Sequence, residues 1–161
     1  MQAANMKGMT GALGKATLAA GTTTTISTTG TLPFAIGGKA YSSAALSNQA
    51  TPTTDVNTGA AFVGVKSGHG SVFVYGFNAA GTLKCAQGSV VPLLNYAWDT
   101  KPQFPALPDD FCPFGYLTIL AGSTADATTG WLQGSSNQAS VTGITYARQD
   151  VALGMPDRPQ T

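Results

Sequence analysis

Several residue types on which enzymes rely are scarce in this sequence. It has no glutamate, one histidine (His69) and two cysteines (Cys85 and Cys112), and only 9% of its 161 residues are charged. A typical glycoside hydrolase needs two carboxyl groups that converge across a cleft, commonly with a glutamate among them. A structural zinc centre needs four ligands, and three scattered histidine and cysteine side chains do not supply them. The composition therefore argues against both kinds of site.

The stretch SGHGSVFVYGFNAAGTLKCAQ (67–87) holds both His69 and Cys85. A nucleophile needs a base within hydrogen-bonding distance, and His69 is the only histidine that could be that base. Its flanking glycines predict a turn between two strands, so His69 and Cys85 would be neighbours only across strands. Cys85 shares its predicted strand face with Leu83, whereas Lys84 points the other way. This pattern indicates a buried, unreactive thiol, and we predict no catalytic pair here.

The remaining motifs offer no other chemistry. Asp109 and Asp110 are adjacent, so their side chains point in opposite directions in an extended segment. Asp126 stands alone in STADATTG (123–130), which lacks the alternating acidic residues of a calcium loop. The glycines of GVKSGHGS do not have the spacing of a phosphate-binding loop. We predict no catalytic, cofactor-binding or metal-binding residues, and no enzymatic activity.

Long apolar runs and basic clusters are also missing. No stretch approaches the roughly 20 apolar residues of a membrane helix, and the start MQAANMKGMTGALGKATLAAG lacks the apolar core of a signal peptide. The net charge is +1, and nothing in the sequence favours binding to nucleic acid. The two cysteines suit neither a metal knuckle nor a dense disulfide framework. Reduced thiols in a protein assembled in the cytoplasm are the simplest interpretation. A single disulfide between the two cysteines is the alternative.

Small and hydroxylated residues are abundant in this sequence, in contrast to the scarce charged residues. Alanine, glycine, serine and threonine together account for 77 of the 161 residues. Threonine favours strands, glycine marks turns, and both disfavour helix. Because charge keeps protein surfaces apart, a surface with so little of it suggests contact with other subunits. A monomer with a surface of Thr, Ser and Gln is the alternative.

Short strands with turn signals between them recur along most of the chain. The predicted strands are 22–28, 32–36, 39–43, 60–66, 71–77, 82–87, 114–121, 129–134 and 141–151. Gly37-Gly38 predicts a tight hairpin between two of them. The proline-rich segment 101–115 should pack across the surface of the domain or against a neighbouring subunit. The pattern predicts an all-β domain, either a sandwich or jelly-roll-like.

The domain organisation predicted from the sequence is simple. Residues 1–21 have no apolar alternation and are predicted to be an extended N-terminal arm, ordered against a partner. Residues 22–161 are predicted to form a single β-rich domain. In the strand 71–77, Phe73, Tyr75 and Phe77 share one face and valines occupy the other, which predicts a central strand covered on both sides.

Five aromatic residues leave two interpretations open. They are Tyr75, Tyr96, Trp98, Tyr116 and Trp131. Exposed together, they would form a platform for stacking sugars or bases. At strand spacing, aromatic residues more often belong to the core.

Five segments resemble small virion-associated proteins of tailed bacteriophages, above all the decoration or cement proteins found beside the major capsid protein. The segments are GGKAYSSAA, TPTTDVNTGAAF, VFVYGFNAAGTLKCAQGSV, FPALPDDFCPFGYLTILAGSTA and MPDRPQ. The similarity spans about residues 30–161. It implies a β-rich homotrimer, made in the host cytoplasm and seated on the outer surface of the capsid, where it bridges subunits of the major capsid protein. It carries over no catalytic residues. Alternatives are another virion role, such as a tail, fibre-base or glycan-binding host-attachment module, and an enzyme of the phage or its host.

Overall fold

The computed structural model describes residues 8–160 of the chain, which form an all-β domain. Within these residues there is no helix, and every pair of strands is antiparallel. The strands are β1 (Gly11–Ala12), β2 (Ala19–Ala20), β3 (Thr25–Ser27), β4 (Leu32–Ile36), β5 (Lys39–Ser43), β6 (Gln49–Ala50), β7 (His69–Phe77), β8 (Leu83–Gln87), β9 (Val91–Pro92), β10 (Cys112–Ala121) and β11 (Ile144–Asp150). They form three sheets in a sandwich-like arrangement, so the predicted all-β class is confirmed.

The largest sheet has the strand order β11-β10-β7-β8, with the short β9 paired to the start of β7. Phe73, Tyr75 and Phe77 of β7 lie in the main hydrophobic core. Val72 and Val74 lie in a second, smaller core on the opposite face. The predicted central strand with two covered faces is therefore confirmed.

The hairpin β4–β5 forms a second sheet with β1 and has the bounds predicted from the sequence. Its two-residue loop consists of Gly37 and Gly38, with φ angles of 57° and 80°. Positive φ at both positions is typical of a type I′ turn, whose twist matches that of the flanking strands. Glycine adopts these angles without steric cost, so the sequence determines this hairpin locally.

Aromatic rings connect the hairpin sheet to the large sheet. The ring of Phe77 on β7 stacks on Phe34 of β4 at 5.6 Å and on Phe114 of β10 at 4.8 Å, measured between centroids. β1 and β4 pack directly against β10. The third sheet, β2-β3-β6, contributes the fully buried Ile26 to the same core.

The proline-rich segment crosses the opposite face of the large sheet with residues 101–111, which is the first of its two predicted placements, and its residues 112–115 belong to β10. Phe104 and Leu107 pack against the second core, and Phe111 is fully buried there. The ring of Phe104 meets that of Tyr116 edge-on at 5.0 Å. The segment covers an apolar face that would otherwise be exposed to water.

The N-terminal segment differs from the prediction. Residues 1–7 of the predicted arm lie outside the described residues, but from Gly11 onward the chain packs on its own domain. Ala12 and Ala16 are completely buried, and Leu18 is nearly so. A Cβ atom on Gly11 would lie 2.5 Å from the carbonyl oxygen of Leu153, so the backbones approach more closely than any larger residue allows. This part of the segment is not ordered only against a partner, because small side chains let it fit tightly into the core.

Two predicted strands are absent from the described fold. Segments 60–66 and 129–134 meet only at one bridge, where Val65 and Trp131 exchange backbone hydrogen bonds of 2.9 and 3.0 Å. Their apolar pattern reflects the burial of Phe62, Val65 and Trp131 and does not reflect a ladder. The other predicted strands are present, with ends displaced by at most three residues.

Candidate functional site

His69 and Cys85 lie on neighbouring strands but far apart along them. His69 is the first residue of β7, directly after a turn closed by the hydrogen bond from its N–H to the carbonyl oxygen of Lys66 (3.0 Å). Cys85 is paired with Tyr75. The six residue-to-residue steps from 69 to 75 span about 20 Å of strand, so the imidazole cannot activate this thiol. The Nδ1 atom of His69 lies 3.1 Å from the carbonyl oxygen of Ser67, within its own turn.

The two cysteines flank the central strand on opposite sides. Cys85 pairs with Tyr75 and Cys112 pairs with Phe77, and both thiols are free and fully buried. Burial raises the pKa of Cys85 well above its ordinary value, and the nearby Asp55 carboxylate raises it further. Burial raises the pKa of Cys112 to about 11. Neither thiol is ionised near neutral pH, as the predicted inert character of Cys85 requires.

We expect both thiols to resist an aromatic disulfide reagent at pH 8 in the native protein and to react completely in denaturant.

The burial of the two thiols also predicts a pH dependence of stability. Above pH 9 the unfolded chain loses thiol protons that the folded protein retains, so the free energy of unfolding decreases as the pH rises from about 9 to 11. Thermal denaturation across this range would measure the decrease. It should be smaller in the double variant Cys85→Ala, Cys112→Ala, and an equal decrease would contradict the assignment.

The carboxylates are used in local structure. Asp110 accepts a hydrogen bond from the N–H of Ala79 (2.8 Å), across to the β7–β8 turn. Asp126 accepts from the N–H of Thr128 (2.7 Å), and this bond is the main reason why its pKa is lowered. Asp55, which the sequence did not single out, is buried; its two oxygens accept from the N–H groups of Asn57 and Gln87 at 2.7 and 3.0 Å. All three carboxylates thus accept hydrogen bonds from backbone N–H groups and stabilise turns or strand edges of the fold.

Metal-ligating side chains do not converge. Between residues 8 and 160, no group of three or more His, Cys, Asp or Glu side chains could hold a metal ion. The same residues contain no helix long and apolar enough to cross a membrane. One open cavity, about 560 Å³, is lined mainly by small and polar residues, with Asp55 and Lys84 as its charged groups.

Most of the aromatic residues lie in the core. Tyr75, Tyr116 and Trp131 are at most 1% exposed, which rules out a stacking platform made from them. Trp98 is half-buried, and its ring covers Gly70, where an added Cβ would lie 2.4 Å from it. Tyr96 is 51% exposed and is the exception.

Tyr96 belongs to an exposed apolar turn, Leu94–Ala97. Leu94 and Ala97 exchange two backbone hydrogen bonds of 3.0 Å, and Leu94 is 62% exposed. Asn95 and Tyr96 have φ angles of 50° and 61°. Two-residue turns of this type prefer glycine at the second position, and a non-glycine residue there costs about 1–2 kcal/mol. The isolated domain thus displays a leucine and a tyrosine in water, the tyrosine in a strained backbone conformation.

A buried polar cluster that the sequence analysis did not predict consists of Tyr75, Gln133, Gln138 and Arg148. The hydroxyl group of Tyr75 donates to Oε1 of Gln133 (3.0 Å), and Gln138 donates to the same oxygen (3.3 Å). The guanidinium group of Arg148 donates to the carbonyl oxygen of Gln138. Burial raises the pKa of Tyr75 well above its ordinary value. Gln133 and Gln138 are 58 and 63 positions from Tyr75 in the sequence, so no local pattern could have revealed the cluster.

No protein-family model, curated protein or solved structure matches this chain.

Proposed function

We propose that this protein is a structural component of a tailed-phage virion that decorates the capsid. In this role it binds the outer surface of the shell as a homotrimer and bridges neighbouring subunits of the major capsid protein. The resemblance of residues 30–161 to decoration proteins supports the proposal. The positions of His69, Cys85 and the carboxylates described above are compatible with a binding function.

The exposed apolar turn Leu94–Ala97 is the observation on which the proposal mainly depends. Leu94 and Tyr96 are among the few large apolar side chains exposed in the described residues. A strained turn that displays these side chains is unfavourable in an isolated domain, because the positive φ angle of Tyr96 costs free energy that a glycine at this position would not cost. Burial against another subunit offsets that cost, since each such side chain gains about 1.5–3 kcal/mol when it leaves water.

A decoration protein stabilises a shell by linkage. A molecule that binds the assembled lattice and not its separate subunits lowers the free energy of the lattice by the free energy of binding. A trimer makes three linked contacts, so each can be modest. The low charge of the surface is compatible with several such contacts.

The variants Leu94→Ser and Tyr96→Gly test this function. We expect the double variant to bind capsids of the cognate major capsid protein at least tenfold more weakly in cosedimentation, because it removes both apolar contacts. Its melting temperature should be unchanged or higher, because glycine relieves the strain at position 96. The matched control is Val63→Ser, an exposed apolar residue (63%) in another loop, which should bind as the unchanged protein does.

The unchanged protein should also behave as a trimer in sedimentation and should raise the temperature at which capsids break down. Failure of the unchanged protein to bind capsids would overturn the proposal. Binding to purified host surface glycans in place of capsids would favour the host-attachment role.

A further inference from the structure

The outer edge of β11 is open among the residues that the structure describes. β11 is the last strand of its sheet and has β10 on one side, with no strand of residues 8–160 on the other. The edge at the opposite end of this sheet is covered, because Val56 donates to the carbonyl oxygen of Cys85 (2.9 Å) and Asp55 accepts from the N–H of Gln87. At seven residues, β11 is the longest open edge in the described fold.

The alternation of hydrogen bonds between β10 and β11 shows which backbone groups of β11 face away from β10. Gly122 donates to Gly143 and Val151 donates to Phe114, at 2.7 and 2.9 Å, just beyond the two ends of the β10–β11 pairing. In an antiparallel pair, every second residue bonds to the neighbouring strand, so odd-numbered residues of β11 face β10. The N–H and C=O groups of Tyr146 and Arg148 therefore face outward. Such groups are a template for an additional strand.

Arg148 adds a positive charge at this edge without a negative partner. Its half-buried guanidinium group donates to the carbonyl oxygen of Gln138 and lies 5.6 Å from the centroid of the Tyr146 ring. No carboxylate of the described residues forms an ion pair with it, and its Nε atom has no acceptor. Gln133 Nε2, in the same cluster, also lacks an acceptor. Burial lowers the pKa of Arg148, as expected of a cation that has lost water and gained no counter-ion.

We infer that the β11 edge binds an extended segment of a partner protein, which adds to the sheet as a further strand and places an aspartate or glutamate carboxylate on Arg148. Main-chain hydrogen bonds to Tyr146 and Arg148 align the segment, and the charge-assisted bond to the guanidinium group selects it. The inference rests on the proposed function only for the identity of the partner, the major capsid protein.

A second copy of this chain paired in the register centred on Arg148 fits the edge less well. Antiparallel pairing of β11 with itself about Arg148 would place the two Arg148 side chains directly opposite each other. Like charges across a strand pair are destabilising. Arg148 thus favours a strand that carries the opposite charge.

The first test compares Arg148→Gln with Arg148→Lys in capsid cosedimentation. Arg148→Gln should weaken binding about tenfold and remove most of its dependence on salt, since a charge-assisted bond is lost. Arg148→Lys keeps the charge and should stay within about threefold. The melting temperature of Arg148→Gln should change little, because the lost hydrogen bond to Gln138 is offset by removal of a half-buried charge that forms no ion pair within residues 8–160. Equal binding by Arg148→Gln, or a loss of binding in parallel with a lower melting temperature, would overturn the inference.

The second test uses amide hydrogen exchange and needs no capsid. The probes are a seven-residue Val/Thr peptide with a central glutamate and its glutamine counterpart. The glutamate peptide should slow exchange at the amides of Tyr146 and Arg148 severalfold and leave Thr145 and Ala147 unchanged. Equal effects of the two peptides, no effect of either, or slow exchange at 146 and 148 in concentrated protein alone would contradict it. If the unchanged protein does not bind capsids but the glutamate peptide slows exchange at this edge, the proposed capsid-binding function is wrong and the strand-binding site on β11 is supported.

Discussion

Deletion of residues 1–21 is expected to abolish cooperative folding. The deletion removes β1 and β2 together with Ala12, Ala16 and Leu18, all of which lie in the main core. Small domains are stable by only about 5–15 kcal/mol, and the loss of two strands and a core segment exceeds what such a margin tolerates. Circular dichroism and the sharpness of urea unfolding would measure the effect. A truncated protein that unfolds with the original midpoint would show that the segment is a dispensable arm.

A pair of point variants separates core packing from chain length. Ala16→Asp places a carboxylate at a fully buried position and should cost at least about 3 kcal/mol of unfolding free energy. Lys15→Asp introduces the same side chain at the exposed neighbouring position and should change stability by about 0.5 kcal/mol or less. Equal effects of the two substitutions would contradict the burial of Ala16.

Replacement of Trp131 by alanine is expected to be the most damaging aromatic substitution, at about 3–5 kcal/mol. Its indole ring is 1% exposed and meets the ring of Phe73 edge-on at 5.3 Å. Its Nε1 atom donates to the carbonyl oxygen of Asn137 (3.0 Å), which also accepts from the hydroxyl group of Tyr146 (2.9 Å). The truncation therefore leaves a cavity and removes one of the two hydrogen bonds to this carbonyl group. Chemical denaturation followed by circular dichroism would measure the change.

Trp98→Ala is the matched control for Trp131. Trp98 is only half-buried, over Gly70, so less than half of that loss is expected. A larger loss for Trp98 than for Trp131 would mean that the aromatic core is centred elsewhere.

Much of the fold follows from local sequence signals. The β4–β5 hairpin was predicted to the residue, because Gly37-Gly38 fixes both its turn and its register. β7 and β10 were predicted within two residues of their observed starts, since their apolar runs are long and bounded by turns. The two faces of β7 followed from alternation alone.

The remaining features depend on contacts that no local pattern encodes. The sequence around Ala12 and Ala16 looks featureless because alanine and glycine give no apolar period, although their small size is what allows close packing. Segments 60–66 and 129–134 alternate like strands yet meet at a single pair. Their apolar side chains alternate because several of them are buried, and burial does not require that the two backbones pair along their length.

The candidate site was accessible to sequence reasoning only in part. The buried thiol of Cys85 follows from its apolar strand face, whereas its separation along the strands from His69 depends on the pairing of β7 with β8. The exposed turn Leu94–Ala97 contains no glycine, so its conformation was hidden from a search for turn signals. The open edge at Arg148 depends on strand order, which the sequence could not supply.

The hydrogen bond from the N–H of Leu18 to Asp150 (2.8 Å) has a consequence for synthesis of the protein. Leu153 likewise donates to the carbonyl oxygen of Ala12 (2.8 Å), so both contacts join segments that are far apart in the chain. The nascent chain cannot close its core until residues 150–153 have left the exit tunnel. Until then the buried faces of β7 and β10 depend on chaperones or dilution to avoid aggregation.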